Sequence, residues 1–300
     1  FAFVHDGVLP EILAVTTSKA TDLYKVGVEI DVKVHFSEVV KLETTAAANL
    51  VLTLDLGNSV VRAINLTPVG GDYGNEGVTF VVGTYTVVAG DESTVLVVSN
   101  IGLSAAGALK DVGGNVMVSA GYANYSNLNA DSSDDGTGNA YVGSYHIVSL
   151  DGKIPSISPV ASGAFAVDNS SLLLTFGEAV YGNAGGSAPI GQDSFTITGV
   201  TGGLSVTSYT VKQADGSTAL AGGETSIRLV FSDLGPAVGT EMMSIKVKGN
   251  RIYDVTGNPI AADSVIDFAT NTVTLNDTKP PTFATTGAGA GGTDPYPTLS

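Results

Sequence analysis

Hydrophobic and polar residues alternate along much of this chain with a period of two. The clearest runs are 28–36, which reads VEIDVKVHF, and 243–248, which reads MSIKVK. Because successive side chains of a β-strand point to opposite faces, this alternation predicts strands with one buried face. The runs 78–88 and 172–176 are more continuously apolar, which predicts strands that are buried on both faces or lie in a barrel-like sheet.

Helices are not expected as major elements. No segment of about 12 residues or more has apolar residues at helical spacing, and only 18–24 and 103–110 are expected to form one helical turn each. Strands are expected instead at intervals of about 8–15 residues, with Gly, Asn and Asp between them. The expected strands are 12–17, 28–36, 50–55, 60–66, 78–88, 93–98 and 141–150 in the first half, and 157–167, 170–177, 193–198, 204–211, 225–232, 240–248 and 264–275 in the second.

About seven strands in each half is the number typical of an immunoglobulin-like (Ig-like) sandwich. The predicted fold class is therefore all-β, with two tandem Ig-like antiparallel β-sandwich domains, at 6–150 and 151–277. The length of 300 residues also suggests about two domains. Residues 1–5 are expected to form a terminal strand, and 278–300 a linker or the start of a further unit.

Three short segments share the pattern Asp-x-x-x-Pro-x-apolar, at 6–12, 151–157 and 277–283. We call them the Asp-Pro segments. Proline fixes its own φ and drives the preceding residue into an extended conformation, so each segment predicts a stiff start to a strand. Two further pairs match in the same order: FSEVV at 36–40 with FGEAV at 176–180, and KDVGGN at 110–115 with YDVTGN at 253–258. Such ordered repetition indicates homologous β-units.

Composition narrows the functional classes. The net charge is −16 and no basic stripe is visible, so neither nucleic acid nor an anionic membrane surface is an expected partner. There is no cysteine, which excludes disulfides and thiolate metal sites. No apolar run is long enough for a membrane-spanning helix. The acid excess favours either simple solubility or carboxylates gathered around divalent cations.

The sequences IDVKVHFSEVV and LKDVGGN in the first half, and LLLTFGEAVYG and NRIYDVTGNPI in the second, resemble the tandem bacterial Ig-like (SwmB-type) repeats of cell-surface adhesins, S-layer proteins and filament proteins. The resemblance covers nearly the whole chain. It implies an exported, extracellular protein of stacked β-sandwiches, often calcium-dependent. The chain departs from the pattern at 121–140, where two tyrosines and an Asp/Ser/Asn/Gly tract are inserted.

Topology is expected to bring matched acidic residues together. In an antiparallel sandwich, the start of the first strand, the end of the second and the loop between the sixth and seventh lie at one pole. Three carboxylates at one pole repel each other unless a cation joins them, and calcium accepts such oxygen ligands. The predicted structural Ca²⁺ ligands are Asp6, Glu38, Asp111 and Asn115 in the first domain, and Asp151, Glu178, Asp254 and Asn258 in the second.

A simpler interpretation of these residues stays open at this stage. Asp-x-x-Gly-Asn is a turn sequence in its own right, since Gly and Asn accept positive φ, and the two asparagines either add amide oxygens or supply turn geometry. The tract 131–139 lacks the ligand pattern of an EF-hand and is expected to be a solvated loop, with a loop-bound cation as the alternative. Asn65, Asn124, Asn169 and Asn276 begin Asn-x-Ser/Thr triplets, which matter only in a glycosylating host.

The favoured function is a structural surface protein: a filament, S-layer or adhesin-stalk subunit that self-associates. Strand donation from residues 1–5 is one route to a polymer, since an unpaired sheet edge accepts another strand; a fragment of a longer array or a frayed tail are the alternatives. Other functions considered are an adhesin module that binds a glycan or protein receptor through 121–140, and accessory domains of a secreted enzyme. No catalytic motif is present, so no enzyme activity is expected.

Overall fold

The computed structural model describes residues 6–44, 49–68, 77–104, 107–117, 129–130, 147–158, 165–261 and 273–282. The chain divides into two compact units, Phe1–Ile154 (unit 1) and Pro155–Ser300 (unit 2). The described residues form strands and turns, with one 3₁₀ turn at Gln192–Ser194 and no α-helix. The predicted all-β, sandwich-type fold is confirmed.

Unit 1 contains eleven strands in its described part. They are β1 Ile12–Thr17, β2 Asp22–Lys25, β3 Glu29–Thr44, β4 Leu50–Gly57, β5 Val60–Pro68, β6 Val78–Thr86, β7 Glu92–Ser93, β8 Val97–Leu103, β9 Gly107–Asp111, β10 Asn129–Ala130 and β11 Val148–Asp151.

The main sheet of unit 1 has the order β10-β1-β3-β6-β5-β4-β8, with β9 also paired to β3, and a smaller sheet has the order β2-β11-β7. Most pairs are antiparallel, but β10 lies parallel to β1 and β11 parallel to β2. Strand β5 changes partner along its length: 60–66 pair with β4, whereas Thr67 and Pro68 pair with β6. The alternating apolar residues of these strands fill one core, which includes Ile30, Leu52, Leu54 and Ile101.

Unit 2 contains six strands in its described part: β12 Ser171–Val180, β13 Phe195–Val200, β14 Tyr209–Gln213, β15 Glu224–Phe231, β16 Met242–Val247 and β17 Val273–Thr274. They form two three-stranded antiparallel sheets, β12-β15-β14 and β13-β16-β17. Buried side chains from both sheets belong to one core, among them Leu172, Leu174, Ile227 and Ile245. The unit is thus built from two sheets around a shared apolar interior.

The two expected helical turns are wrong. Residues 22–25 form strand β2, which pairs with β11, and 107–111 form strand β9, which pairs with Val40–Thr44 of β3. Ala108 and Leu109 suit a helix by propensity, but tertiary pairing with an edge of β3 overrides that preference. In unit 2, the expected strand 157–167 is described only at isolated bridges of Ile157 and Phe165.

A bulge occurs at the same place in both units. The pairing of β3 with β6 shifts register between His35 and Val40, and the pairing of β12 with β15 shifts between Thr175 and Val180. A bulge inserts unpaired residues, bends the strand and re-aims its side chains. In each unit, the bulged stretch contains the glutamate of the repeated Phe-x-Glu sequence.

Candidate cation site

Each Asp-Pro segment begins with the same local turn. The Oδ1 atom of Asp6 accepts the N–H of Val8 at 3.2 Å, that of Asp151 accepts the N–H of Lys153 at 3.2 Å, and that of Asp277 accepts the N–H of Lys279 at 3.1 Å. This side-chain bond to the backbone two residues on is the Asx turn that aspartate favours. The repeated sequence therefore encodes a repeated conformation.

The Asp-Pro segment is tied to the bulge in each unit. In unit 1, the N–H of Ser37 donates to the carbonyl of Glu11 at 2.8 Å; in unit 2, the N–H of Gly177 donates to the carbonyl of Ser156 at 2.9 Å. These residues lie immediately before Glu38 and Glu178. Each Asp-Pro segment thus holds the residue that immediately precedes the glutamate of the bulge.

The third repeated feature is a closed turn whose hydrogen bonds are nearly identical in the two units. The N–H of Asn115 donates to Asp111 Oδ1 at 2.8 Å, and Asn115 Nδ2 donates to Asp111 Oδ2 at 2.7 Å. In unit 2, the N–H of Asn258 donates to Asp254 Oδ1 at 2.8 Å, and Asn258 Nδ2 donates to Asp254 Oδ2 at 2.8 Å. Gly114 takes φ +92° in this turn, a left-handed conformation that glycine adopts without strain.

Three of the predicted ligands meet in unit 1. One carboxylate oxygen from each of Asp6, Glu38 and Asp111 can be chosen so that all three lie within 4.8 Å of one another. Two oxygens bound to one Ca²⁺ at about 2.4 Å are at most about 4.8 Å apart. The three side chains are therefore close enough to share an ion. In the described structure this is the only such group of three acidic or histidine side chains.

The surroundings of Glu38 in this cluster disfavour the ionised form of its carboxyl group. Burial raises the pKa of Glu38, and the charges of Asp111 and Asp6 raise it further. Glu38 Oε1 is buried and has no hydrogen-bond partner among the described residues, although buried polar atoms are nearly always satisfied. Among those residues no lysine or arginine forms an ion pair with Glu38 or Asp111. The cluster thus has a negative charge that a bound cation would neutralise. The cation would coordinate an oxygen that has no hydrogen-bond partner in the described part of the chain.

Asp111 is held differently from Glu38. It is 3% exposed. Burial by itself raises the pKa of Asp111, but hydrogen bonds from the Asn115 side chain and from backbone N–H groups of the turn outweigh it and lower the pKa. Hydrogen bonds to the charged form stabilise that form. Asp111 is therefore ionised and oriented before any ion arrives.

In this structure, the Asn115 side chain acts as a hydrogen-bond donor that positions its neighbours. Its Nδ2 donates to Asp111 Oδ2, and also to the carbonyls of Asp6 and Val8 at 3.2 Å each. All three partners are acceptors, so the nitrogen of the amide faces them. The asparagine thereby fastens the first Asp-Pro segment to the turn and brings Asp6 beside Asp111.

The second predicted trio is divided between the units. Asp151 belongs to unit 1, where it ends strand β11 and lies opposite Glu92 of strand β7 in the sheet. Glu178 and Asp254 belong to unit 2. Cation binding by these three residues stays a prediction. Within unit 2, the bulge that contains Glu178 and the turn that contains Asp254 and Asn258 are formed as in unit 1.

Sequence reasoning missed a buried carboxylate in unit 1. Asp91 is fully buried, forms an ion pair with Arg62, and accepts hydrogen bonds from the Tyr85 hydroxyl and the Val88 N–H. Burial, followed by this hydrogen bond, raises the pKa of Tyr85. Arg62 and Tyr85 lie on β5 and β6, so no local sequence pattern marks this group of side chains.

Unit 2 buries a different carboxylate, Glu241, which is 5% exposed and has another set of partners. Its carboxylate accepts the N–H of Val238 at 2.9 Å and that of Thr240 at 3.2 Å. Both loops also hold the Asp-Pro segment that follows. Gly152 donates its N–H to the Asp91 carbonyl at 2.7 Å, and Thr278 donates its N–H to the Ala237 carbonyl at 2.8 Å.

Some of the remaining predictions concern residues that the structure describes, and others do not. Residues 1–5 and most of 121–140 lie outside the described residues, so strand donation and a receptor-binding insertion stay predictions. His35 lies in the sheet, 4% exposed, with Nε2 3.0 Å from the Thr16 hydroxyl. Asn169 is 1% exposed and is fastened to Asn276 by two hydrogen bonds of 2.9 Å.

Comparison with known proteins adds little to this picture. No protein-family model matches the chain, and no curated protein matches it. Among solved structures, the chain is similar to domains 4–9 of the surface layer protein SbsC, with 12% sequence identity and a TM-score of 0.19. The match covers 89% of this chain and 31% of that one. A TM-score at this level does not establish a shared fold. The described residues contain no helix long and apolar enough to cross a membrane.

Proposed function

We propose that this chain is a structural component of an extracellular surface assembly, such as a filament, an S-layer or an adhesin stalk, in which Ig-like units are stiffened by bound calcium. The observation that carries the proposal is the meeting of Asp6, Glu38 and Asp111 around a buried, unsatisfied Glu38 oxygen. The repetition of the bulge and the turn within unit 2 extends the proposal to Glu178 and Asp254.

Calcium suits this donor set better than magnesium. Calcium accepts 6–8 oxygen ligands at about 2.3–2.6 Å in flexible geometry, with carboxylates, carbonyls and water all suitable. The three carboxylates would supply part of such a shell and water the rest. Magnesium requires near-ideal octahedral geometry and keeps its water, which a cluster built from three separate segments does not favour.

The mechanical role follows from which segments the ion would join. Asp6 precedes β1, Glu38 lies in the bulge of β3, and Asp111 ends β9. An ion bound by all three cross-links the start of the unit to two strands of its main sheet. Because only the folded chain brings these residues together, calcium would also stabilise the fold by about 2.7 kcal/mol at a free concentration 100 times its Kd.

A calorimetric titration of the chelator-treated full chain with Ca²⁺ tests this proposal. Wild-type protein is expected to bind calcium and to melt at a higher temperature in its presence. Glu38→Gln keeps the size of the side chain but removes the charge, and is expected to abolish binding in unit 1. Glu43→Gln is the matched control, since Glu43 lies on the same strand, is exposed, and pairs with Lys110 outside the cluster.

Absence of calcium binding to the wild-type chain at millimolar Ca²⁺ would contradict the proposal, as would equal binding by Glu38→Gln. The assembly itself is tested by electron microscopy of the native material. Regular fibres or a lattice would support a structural role, whereas isolated particles that bind a receptor would favour the adhesin alternative.

A further inference from the structure

We propose that Gly113 sets the cation affinity of the Asp6, Glu38 and Asp111 cluster, because a side chain at this position would press on both Asp6 and Asp111. This inference rests on the proposed cation binding. It assigns an affinity-determining role to a residue that supplies no ligand.

Gly113 lies between the two aspartates of the cluster. A Cβ atom added to it would lie 3.3 Å from Asp111 Oδ1, 3.4 Å from Asn115 Nδ2 and 3.4 Å from Asp6 Cβ. These distances are shorter than ordinary van der Waals contacts of about 3.5–4.0 Å. A side chain here would press on Asp6 and Asp111 together and widen the cluster.

The backbone does not require glycine at this position. Gly114 and Gly257 have φ of +92° and +87°, whereas Gly113 is not among the residues with positive φ. Any residue can therefore adopt the Gly113 backbone conformation without the strain of the left-handed region. Unit 2 shows this directly, because Thr256 occupies the matching position of the same turn.

Thr256 shows what a side chain does to the neighbouring carboxylate. Its hydroxyl donates to Asp254 Oδ1 at 2.8 Å, and the N–H of Asn258 donates to the same oxygen at 2.8 Å. These two bonds match the two acceptor positions of one carboxylate oxygen. Asp111 Oδ1 accepts the N–H of Asn115 at 2.8 Å but has no hydroxyl beside it, because residue 113 is glycine.

Two effects therefore act in the same direction when a threonine replaces Gly113. The added hydroxyl would donate to Asp111 Oδ1, as that of Thr256 donates to Asp254 Oδ1, and compete with an ion for this carboxylate. The added carbon atoms would separate Asp6 from Asp111. Alanine would introduce only the second effect. The expected order of calcium affinity is Gly113, then Gly113→Ala, then Gly113→Thr.

The test uses the full chain with Glu178→Gln, which removes a predicted ligand of the second motif and leaves the unit 1 cluster to be measured. Calcium Kd is determined by calorimetry for this parent, for Gly113→Ala and for Gly113→Thr. Changes next to metal ligands typically alter affinity by about 10–100-fold, so Gly113→Thr is expected to raise Kd at least about tenfold. Gly113→Ala is expected to lie between the parent and Gly113→Thr.

Gly102→Thr is the matched control. It adds the same side chain on the edge strand β8, where an added Cβ has Asn100 Nδ2 at 3.5 Å as its neighbour, and it should leave the calcium Kd unchanged. Equal Kd values for the parent and Gly113→Thr would overturn this inference while leaving calcium binding intact. If the parent binds no calcium, the proposed function itself fails. If circular dichroism shows that Gly113→Thr is unfolded, the Kd of Gly113→Ala decides, and a value equal to the parent's overturns the inference.

Discussion

Units 1 and 2 share their irregular backbone features more closely than the side chains around them. The bulge in β3 and β12, the Asx turn of each Asp-Pro segment and the Asp-Asn turn recur with hydrogen-bond lengths that agree within 0.1 Å for the Asp-Asn pair. The surroundings differ: Gly113 matches Thr256, and the two units bury different carboxylates, Asp91 and Glu241, with different partners. The difference indicates that the repeated sequence specifies a common backbone conformation. The polar side-chain contacts around it differ from one unit to the other.

The largest difference between the units is expected from removal of their buried carboxylates. Asp91→Ala would leave the Arg62 guanidinium and the Tyr85 hydroxyl without their shared partner, at a cost of about 3 kcal/mol in the free energy of unfolding of unit 1. Glu241→Ala removes bonds from backbone N–H groups of an exposed loop and is expected to cost about 1–2 kcal/mol in unit 2.

Hydrogen-exchange mass spectrometry in increasing urea measures these losses separately, because it follows peptides of each unit. Glu92→Ala is the control, since Glu92 is the exposed neighbour of Asp91, and it should change stability by no more than about 0.5 kcal/mol. Equal losses for Asp91→Ala and Glu241→Ala would show that the ion pair and the tyrosine add nothing to unit 1.

A smaller effect is expected at the second residue of the Asp-Pro segments. A Cβ on Gly152 would lie 2.5 Å from the Val88 carbonyl and 2.6 Å from Asp91 backbone atoms, whereas nothing lies within 4 Å of one on Gly7. Gly152→Ala is therefore expected to destabilise unit 1 by about 1–3 kcal/mol through overpacking, and Gly7→Ala by no more than about 0.5 kcal/mol.

Unit 2 has Thr278 at the same position, where its hydroxyl accepts the Ala237 N–H at 3.0 Å. The 237–241 loop thus accommodates a side chain that the 88–91 loop excludes. Thermal melting of the two glycine variants checks the prediction. A melting temperature for Gly152→Ala equal to that of Gly7→Ala would show that the 88–91 loop yields at little cost.

The smallest effect concerns the turn at Asp215 in unit 2. Asp215 accepts hydrogen bonds from the Ser217 and Thr218 N–H groups at 2.8 Å and from the Thr218 hydroxyl at 2.5 Å. The Thr218 side chain, followed by these N–H groups, lowers the pKa of Asp215 to about 2 from its usual 3.8. Because the folded pKa is depressed, the stabilising contribution is complete above pH 3.8 and is lost as the pH falls through about 2.

A carbon-detected NMR titration of the Asp215 carboxyl group measures this pKa. Thr218→Ala removes the main hydrogen-bond donor, so it should raise the pKa toward 3.8. A wild-type pKa already at 3.8 would show that the turn does not hold the charged carboxylate. The effect is local, since Asp215 lies at an exposed hairpin between β14 and β15.

The sequence predicted the structure best where a local residue pattern is associated with a single conformation. The spacing of strand-like segments between turn residues predicted β1 at 12–17 with its observed bounds. The repeated Asp-Pro, Phe-x-Glu and Asp-x-x-Gly-Asn sequences predicted that Asp6, Glu38 and Asp111 lie together. Strands β2 and β9 were missed because their signal is pairing with distant strands, which leaves no local pattern. The Asp91 partners were missed for the same reason, since Arg62 and Tyr85 come from other strands.

The parallel pairing of β11 with β2 has a consequence for how unit 1 acquires its fold. Ile147 and Thr21, which are 126 residues apart, are joined by a hydrogen bond at the start of this pair. Closing so long a loop costs entropy before any contact rewards it, and folding slows as contacts become less local. A chain emerging from the ribosome therefore cannot complete unit 1 until Asp151 has been synthesised. At that point, the first residue of the next Asp-Pro segment is already held by unit 1, because it is the last residue of β11.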